Sequence, residues 1–198
     1  MSAHWNDTLS TIGGLAGAAA AVAAWRAATK ANATADTVAR IERDRHHAEL
    51  APQFDIGFVE TSETRAKLAI HLSGPDQLGH LTSITASVGN DDAEHVLASP
   101  GLDVTQEGVD AFVWGPFRFQ PDADGADRNG RAVAPVSLLV GRGRSFAMER
   151  TRPGHWMTGK TFERWQENYR NEPVRLILTC RRDDEEWVVT RRIPNPPL

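Results

Sequence analysis

The apolar residues of this chain change period at Pro52. Upstream, from residue 18 to residue 50, no glycine or proline interrupts the sequence, and Ala27, Ala31, Thr34, Val38, Ile41, Arg45 and Ala48 recur at spacings of four and three. That is a thin heptad-like helical stripe with a charge at one position. Downstream the period is two. Phe54, Ile56 and Phe58 alternate with polar or small residues in "FDIGFVE", as do Leu68, Ile70 and Leu72 in "KLAIHLSG" and Ile84, Ala86 and Val88 in "ITASV". A residue before proline avoids the helical region, so Pro52 is the expected end of the helix. The chain is expected to divide into an N-terminal helix over residues 1–50 and a β-rich domain over residues 51–198.

Further alternating runs are "DAFVWGPFRF" with a bend at Gly115-Pro116, "VSLLV", "SFAMER", "VRLILTC" and "EWVVTRRI". The last two flank "RRDDE" and read as a hairpin. About eight short strands separated by Gly, Pro, Asn and Asp clusters predict an antiparallel β-sandwich, immunoglobulin-like or similar, with a small barrel as the rival. One helix interrupts them. In "TFERWQENYRN", Phe162, Trp165 and Tyr169 fall on one face, Thr161 is a suitable N-cap and Pro173 a stop.

The first helix carries a run from Thr8 to Trp25, eighteen residues without a charge. This is the lower limit for a membrane span. Trp5 and Trp25 are spaced by about 30 Å of helix, close to the hydrocarbon thickness. Gly13 and Gly17, with Ala21 continuing the ladder, form a small-residue face of the kind that lets helices associate in lipid. Against insertion, seven of the eighteen are alanine and three are glycine. A soluble packed helix is the alternative, and the absence of Lys or Arg in residues 1–7 opposes a signal peptide. The basic residues Arg26, Lys30, Arg40, Arg43 and Arg45 follow the run. If it spans, they place the β-rich domain on the cytoplasmic side of a bacterial inner membrane; otherwise the protein is cytoplasmic and soluble. The expected partners are the membrane through residues 8–25 and a second copy or another protein through the helix.

Charge is unevenly distributed. Residues 51–130 carry thirteen acidic and four basic side chains, and residues 131–198 carry eight acidic and thirteen basic. Packed as one domain, the two parts attract each other. The arginine pairs at 181–182 and 191–192 are separated by "DDEE", which opposes a nucleic-acid face. A single cysteine, Cys180, shares the alternating face of Val174, Leu176 and Leu178 and reads as a buried thiol.

Two motifs resemble ligand loops. "GHWMTGKT" matches the phosphate-loop pattern through Gly154, Gly159, Lys160 and Thr161. Such loops turn successive backbone N–H groups onto phosphates, which favours small residues, whereas His155, Trp156 and Met157 fill this one. Only thirty-seven residues follow, too few for a parallel strand–helix core. A surface turn, with Trp156 folded back onto the core, is the better reading, and no cofactor is expected. "PDADGADRNG" offers Asp122, Asp124 and Asp127 to calcium, but the order is not that of a calcium-binding helix pair and no glutamate closes it. A solvated hairpin tip is expected, and no metal. The seven histidines show no metal spacing, and no nucleophile elbow occurs.

The stretches "ANATADTVARIERDRHHAELAPQFD", "WGPFRF…DGADRNGR…APVSLLV" and "ERTRP…PVRLILTCRR" resemble a group of proteins from high-GC bacteria. In that group a short Ala-rich hydrophobic helix leads through a charged helix into a β-rich domain. The resemblance covers most of the chain and implies architecture alone, with no activity and no site residues. The expectation is a non-enzymatic, membrane-associated binding or scaffold protein. The alternatives are a soluble subunit that assembles through its N-terminal helix and an enzyme whose site the sequence does not expose.

Overall fold

The computed structural model describes Trp25, residues 29–96 and residues 104–196. The described residues divide into two compact units, with the boundary between Glu49 and Leu50. In the first, helix α1 runs over residues 29–49. Its stripe is solvent-exposed: Val38 is 53% and Ile41 55% accessible. Thr34 and Thr37 donate their hydroxyls to the carbonyls of Lys30 and Ala33, and Arg45 pairs with Glu49 one turn on, at 2.8 Å. The uncharged run from Thr8 lies, apart from Trp25, outside the described residues, as do Gly13, Gly17 and Ala21. Among the described residues no helix is long and apolar enough to cross a membrane.

The second unit is mainly β, built of two antiparallel four-stranded sheets. The strands are β1 (Gln53–Thr61), β2 (Arg65–Gly74), β3 (His80–Val88), β4 (Phe117–Phe119), β5 (Val136–Leu139), β6 (Gly143–Arg150), β7 (Val174–Arg182) and β8 (Glu185–Ile193). One sheet has the order β1-β2-β6-β4 and the other β5-β3-β7-β8. The alternation seen in the sequence sets the register. Phe54, Ile56 and Phe58 lie opposite Leu72, Ile70 and Leu68, and Leu68 opposite Phe146. In the other sheet Ile84, Ala86 and Val88 lie opposite Cys180, Leu178 and Leu176, and Cys180 opposite Trp187. A side-chain period of two puts each of these sets on one face. The buried residues of both sheets belong to a single hydrophobic cluster, in which Leu68, Leu72, Phe117, Phe119, Met148, Leu176 and Leu178 are fully buried. Each such side chain contributes about 1.5–3 kcal/mol by leaving water. Cys180 is inside it, and burial pushes its thiol up to about 12.

Two short helices complete the unit, α2 (Gln106–Ala111) and α3 (Phe162–Asn168). α3 starts where the sequence places it. The Thr161 hydroxyl accepts the Arg164 amide at 3.3 Å, and Trp165 and Tyr169 are buried. α2 corrects the expectation of a strand beginning at Asp110. Thr105 caps this helix by accepting the Gly108 amide, and only Phe117–Phe119 joins a ladder. The guanidinium of Arg131 takes the carbonyls of Asp110 and Phe112 at 3.1 and 2.6 Å, and the Trp114 carbonyl takes the Asp91 amide at 2.8 Å. Backbone groups that a strand would use are therefore bound elsewhere, and the alternation of Phe112 and Trp114 serves a second cluster.

Candidate functional site

That second cluster is aromatic. Trp114, Trp165, Tyr169 and Val109 are buried together, with Phe112, Trp156 and Met157 packed against them. Phe112 meets Trp114, Trp156 and Trp165 edge-on at 5.0, 5.3 and 6.0 Å between ring centres. Trp165 contacts Tyr169 at 5.0 Å. Edge-to-face and tilted contacts of this kind suit the ring quadrupole, and the polar tips need partners when buried. Trp114 donates its indole N–H to the Val109 carbonyl at 2.9 Å, and Trp165 donates its own to Thr151 Oγ1 at 2.9 Å. Thr151 in turn donates to the Gly115 carbonyl, and Gln166 donates to the Thr151 carbonyl at 2.7 Å. The cluster is thus tied to β6, to α3 and to the segment before β4.

Beside it the chain turns after β3 through "GNDDAEH". Asn90 is fixed from both sides, its side-chain oxygen accepting the Trp114 amide and Arg131, and its carbonyl accepting Arg175 at 3.0 Å. Held there, Asp91 and His95 face each other one helical turn apart in sequence. His95 Nε2 lies 2.6 Å from Asp91 Oδ1, and the imidazole stacks flat on Trp114, 3.6 Å between centres and 5° between planes. The second oxygen of Asp91 accepts the Tyr169 hydroxyl at 2.7 Å. Burial, that bond to Asp91 and the charges of Asp91 and Glu172 all push the Tyr169 hydroxyl far above its ordinary value. Asp92 binds both terminal nitrogens of Arg175, which holds its carboxyl below the usual range.

These groups line a cleft of about 420 Å³, within the range of small-molecule sites. Its remaining lining includes Lys160, Asn168 and Glu172. The Lys160 ammonium rests 5.7 Å over the ring of Trp165. The described lining contains no serine, threonine or cysteine. What the cleft offers is charge and aromatic surface. A second hollow, about 380 Å³, lies by the β1–β2 turn, where Lys67 and Glu60 already pair at 3.3 Å.

The residues singled out in the sequence have other places. Gly154–Thr161 joins β6 of one sheet to α3, and the next strand, β7, belongs to the other sheet. Its amides turn inward: Met157, Thr158 and Lys160 donate to the carbonyls of Gly154, Trp156 and Met157. Trp156 covers Gly154 so closely that a Cβ there would lie 2.6 Å from the ring. Gly154, Gly159, Lys160 and Thr161 thus make a turn and a helix cap, and Lys160 alone reaches the cleft. In the acidic loop, Asp124 accepts the Ala147 amide, and Asp127 accepts the amides of Asn129, Arg131 and Ala132. Asp122 and Asp124 have positive φ, 64° and 52°. Among the described residues no group of three or more His, Cys, Asp or Glu side chains is placed to hold a metal ion. The sequence alone does not single out the Asp91–His95 pair. Its one signal is Asp91 and His95 at i and i+4 beside a cluster of turn residues, which many solvated loops share.

Comparison of the chain with protein-family models, with curated proteins and with solved structures gives no match.

Proposed function

We propose that this protein is a tethered binding module. The two sheets form the layers of a β-sandwich, the cleft at Asp91, His95 and Trp114 takes a ligand, and the N-terminal helix holds the module in place. The observation that carries the binding half is the cleft itself: a pocket of small-molecule size, floored by aromatic rings and lined by positioned charges. The tether half is supported by α1, whose Val38 and Ile41 stand in water at more than half exposure. Apolar stripes at heptad spacing are buried when two helices pair. A second copy of the chain is the occupant we assign to that stripe, because the stripe is narrow, as a two-helix seam requires. The uncharged residues 8–25 with their following arginines support attachment to a bacterial inner membrane, with the β domain in the cytoplasm.

Fractionation of the full-length protein, followed by sizing in detergent, tests the tether. Recovery in the membrane fraction as a dimer or larger is expected. A dimer in the soluble fraction would favour the alternative, a soluble subunit assembled through its helix, and a soluble monomer would remove both.

A further inference from the structure

The sheet β5-β3-β7-β8 ends on a long open edge. β8 pairs with β7 through nine consecutive residues without a register shift, and among the described residues no strand lies on its other side. The remaining edge strands are blunted. β4 and β5 span three and four residues, and the ladder of β1 shifts register at Gln53–Phe54 and at Phe58–Glu60. Short edges and bulges keep a sheet from pairing with another chain. β8 carries charge instead, and its charges are ordered. It reads "EEWVVTRRI", with Glu185 and Glu186 at one end, Arg191 and Arg192 at the other, and the exposed Val188 between them. Asp184 precedes it.

This order repels a parallel copy, which would set glutamate opposite glutamate and arginine opposite arginine. An antiparallel copy meets the reverse. Residues directly opposite each other in such a pair share a face of the sheet. With Val188 opposite Val188 of the second copy, Glu185 faces Arg191, Asp184 faces Arg192, and Trp187 faces Val189. The twofold axis makes each charged contact occur twice. Within the chain, Arg191 bonds the Thr190 carbonyl at 2.9 Å. Arg192 lies 3.8 Å from Asp92, whose two oxygens Arg175 already holds. Glu186 is bound to Arg181 at 2.6 Å and takes no part. Val188, 61% exposed in the single chain, is covered.

We propose that β8 joins β8 of a second copy in this antiparallel register, giving one continuous sheet with four strands from each copy. A lone pair of strands is marginal in water. The edge therefore closes between copies that α1 already holds together, where the local concentration is high. The inference rests on the reading of α1 as a self-associating helix.

Mild oxidation of full-length Val188→Cys tests it. Opposed α-carbons of an antiparallel pair lie about 4.5–5.5 Å apart, within disulfide range. Cys180 is buried and does not compete. A disulfide-linked dimer is expected. Val59→Cys, at nearly the same exposure but on the bulged β1 edge, is expected to stay unlinked. Arg192→Asp, made in Val188→Cys, sets like charges opposite each other at two places and is expected to lower the yield; adding Asp184→Arg restores it. Equal yields from Val188→Cys and Val59→Cys, or a yield indifferent to Arg192→Asp, would overturn the proposal. So would a cross-link from Val188→Cys to a different protein. A dimer in sizing that does not cross-link would remove the β8 interface and leave the α1 seam. A monomer in sizing that still cross-links would remove the seam and leave the β8 interface.

Discussion

The two hydrophobic clusters of the β unit are built on opposite plans. The main core is aliphatic and phenylalanine-rich, drawn from alternate residues of both sheets, and Leu68, Leu72, Leu176 and Leu178 have no polar atom to satisfy. The smaller cluster holds Trp114, Trp165 and Tyr169, each with a buried polar tip and a named partner: Val109, Thr151 and Asp91. The first kind of packing tolerates repacking and supplies stability in proportion to area. The second fixes orientation, because a mispositioned indole or phenol loses its hydrogen bond. Stability and side-chain orientation therefore draw on different clusters in this molecule, and the cleft lies against the one that fixes orientation.

The largest effect is expected in the main core. Leu176→Ala is expected to lower stability by about 2–5 kcal/mol in chemical denaturation, since a fully buried leucine leaves a cavity. Next comes Gly130→Ala. Gly130 has φ 68°, and an added Cβ would lie 2.1 Å from the Phe119 carbonyl oxygen. A loss of about 1–3 kcal/mol, read as a lower melting temperature, is expected from strain at the end of β4. Trp165→Phe keeps a ring in the second cluster but leaves Thr151 Oγ1 without its donor. About 1–2 kcal/mol should be lost, and near-UV circular dichroism should change far more than far-UV, which would mark loss of orientation rather than of sheet.

Alkaline titration sharpens the contrast at smaller cost. The chain has one tyrosine, so phenolate absorbance reports Tyr169 alone. Its folded-state value is raised, so folding favours the neutral phenol. The contribution to stability is full below the ordinary value near 10 and is lost as pH rises above it. Phenolate absorbance is expected to appear only with unfolding; a reversible titration near 10 in folded protein would contradict the buried bond to Asp91. Cys180 follows the same sign within the main core. Its contribution is present below about 9 and lost towards about 12, and a thiol reagent at pH 8 should not label the native chain. The smallest effect on folding is expected from Val38→Asp on α1. It should leave the melting of the β unit unchanged while abolishing self-association in sizing experiments. An unchanged oligomeric state would remove the stripe as a seam.

Much of the architecture is legible in the chain because it depends on short-range chemistry. The period of two, the turn clusters and the Thr161 cap locate strands and a helix that a few neighbouring residues determine. Residues 106–116 show where such reading stops. Phe112 and Trp114 alternate like a strand, yet their backbone is bound by Arg131 and by the Asp91 amide, groups nineteen and more positions away. The phosphate-loop and calcium-like motifs carry little weight for a related reason. A motif records residue types, and the direction of its amides is decided by the turn in which they sit.

The sequence by itself determined which residues face inward, where the helix yields to the sheets, and that Cys180 would be buried. Alternation and burial are properties of each strand taken alone. Only the tertiary structure decided the cleft. It places Asp91 and His95 against Trp114, Tyr169 beneath Asp91 from seventy-eight residues away, and Lys160 over Trp165. Those approaches depend on how the loop after β3, α3 and the turn before it are packed around a shared aromatic cluster, and no local pattern encodes a packing between segments so distant in the chain.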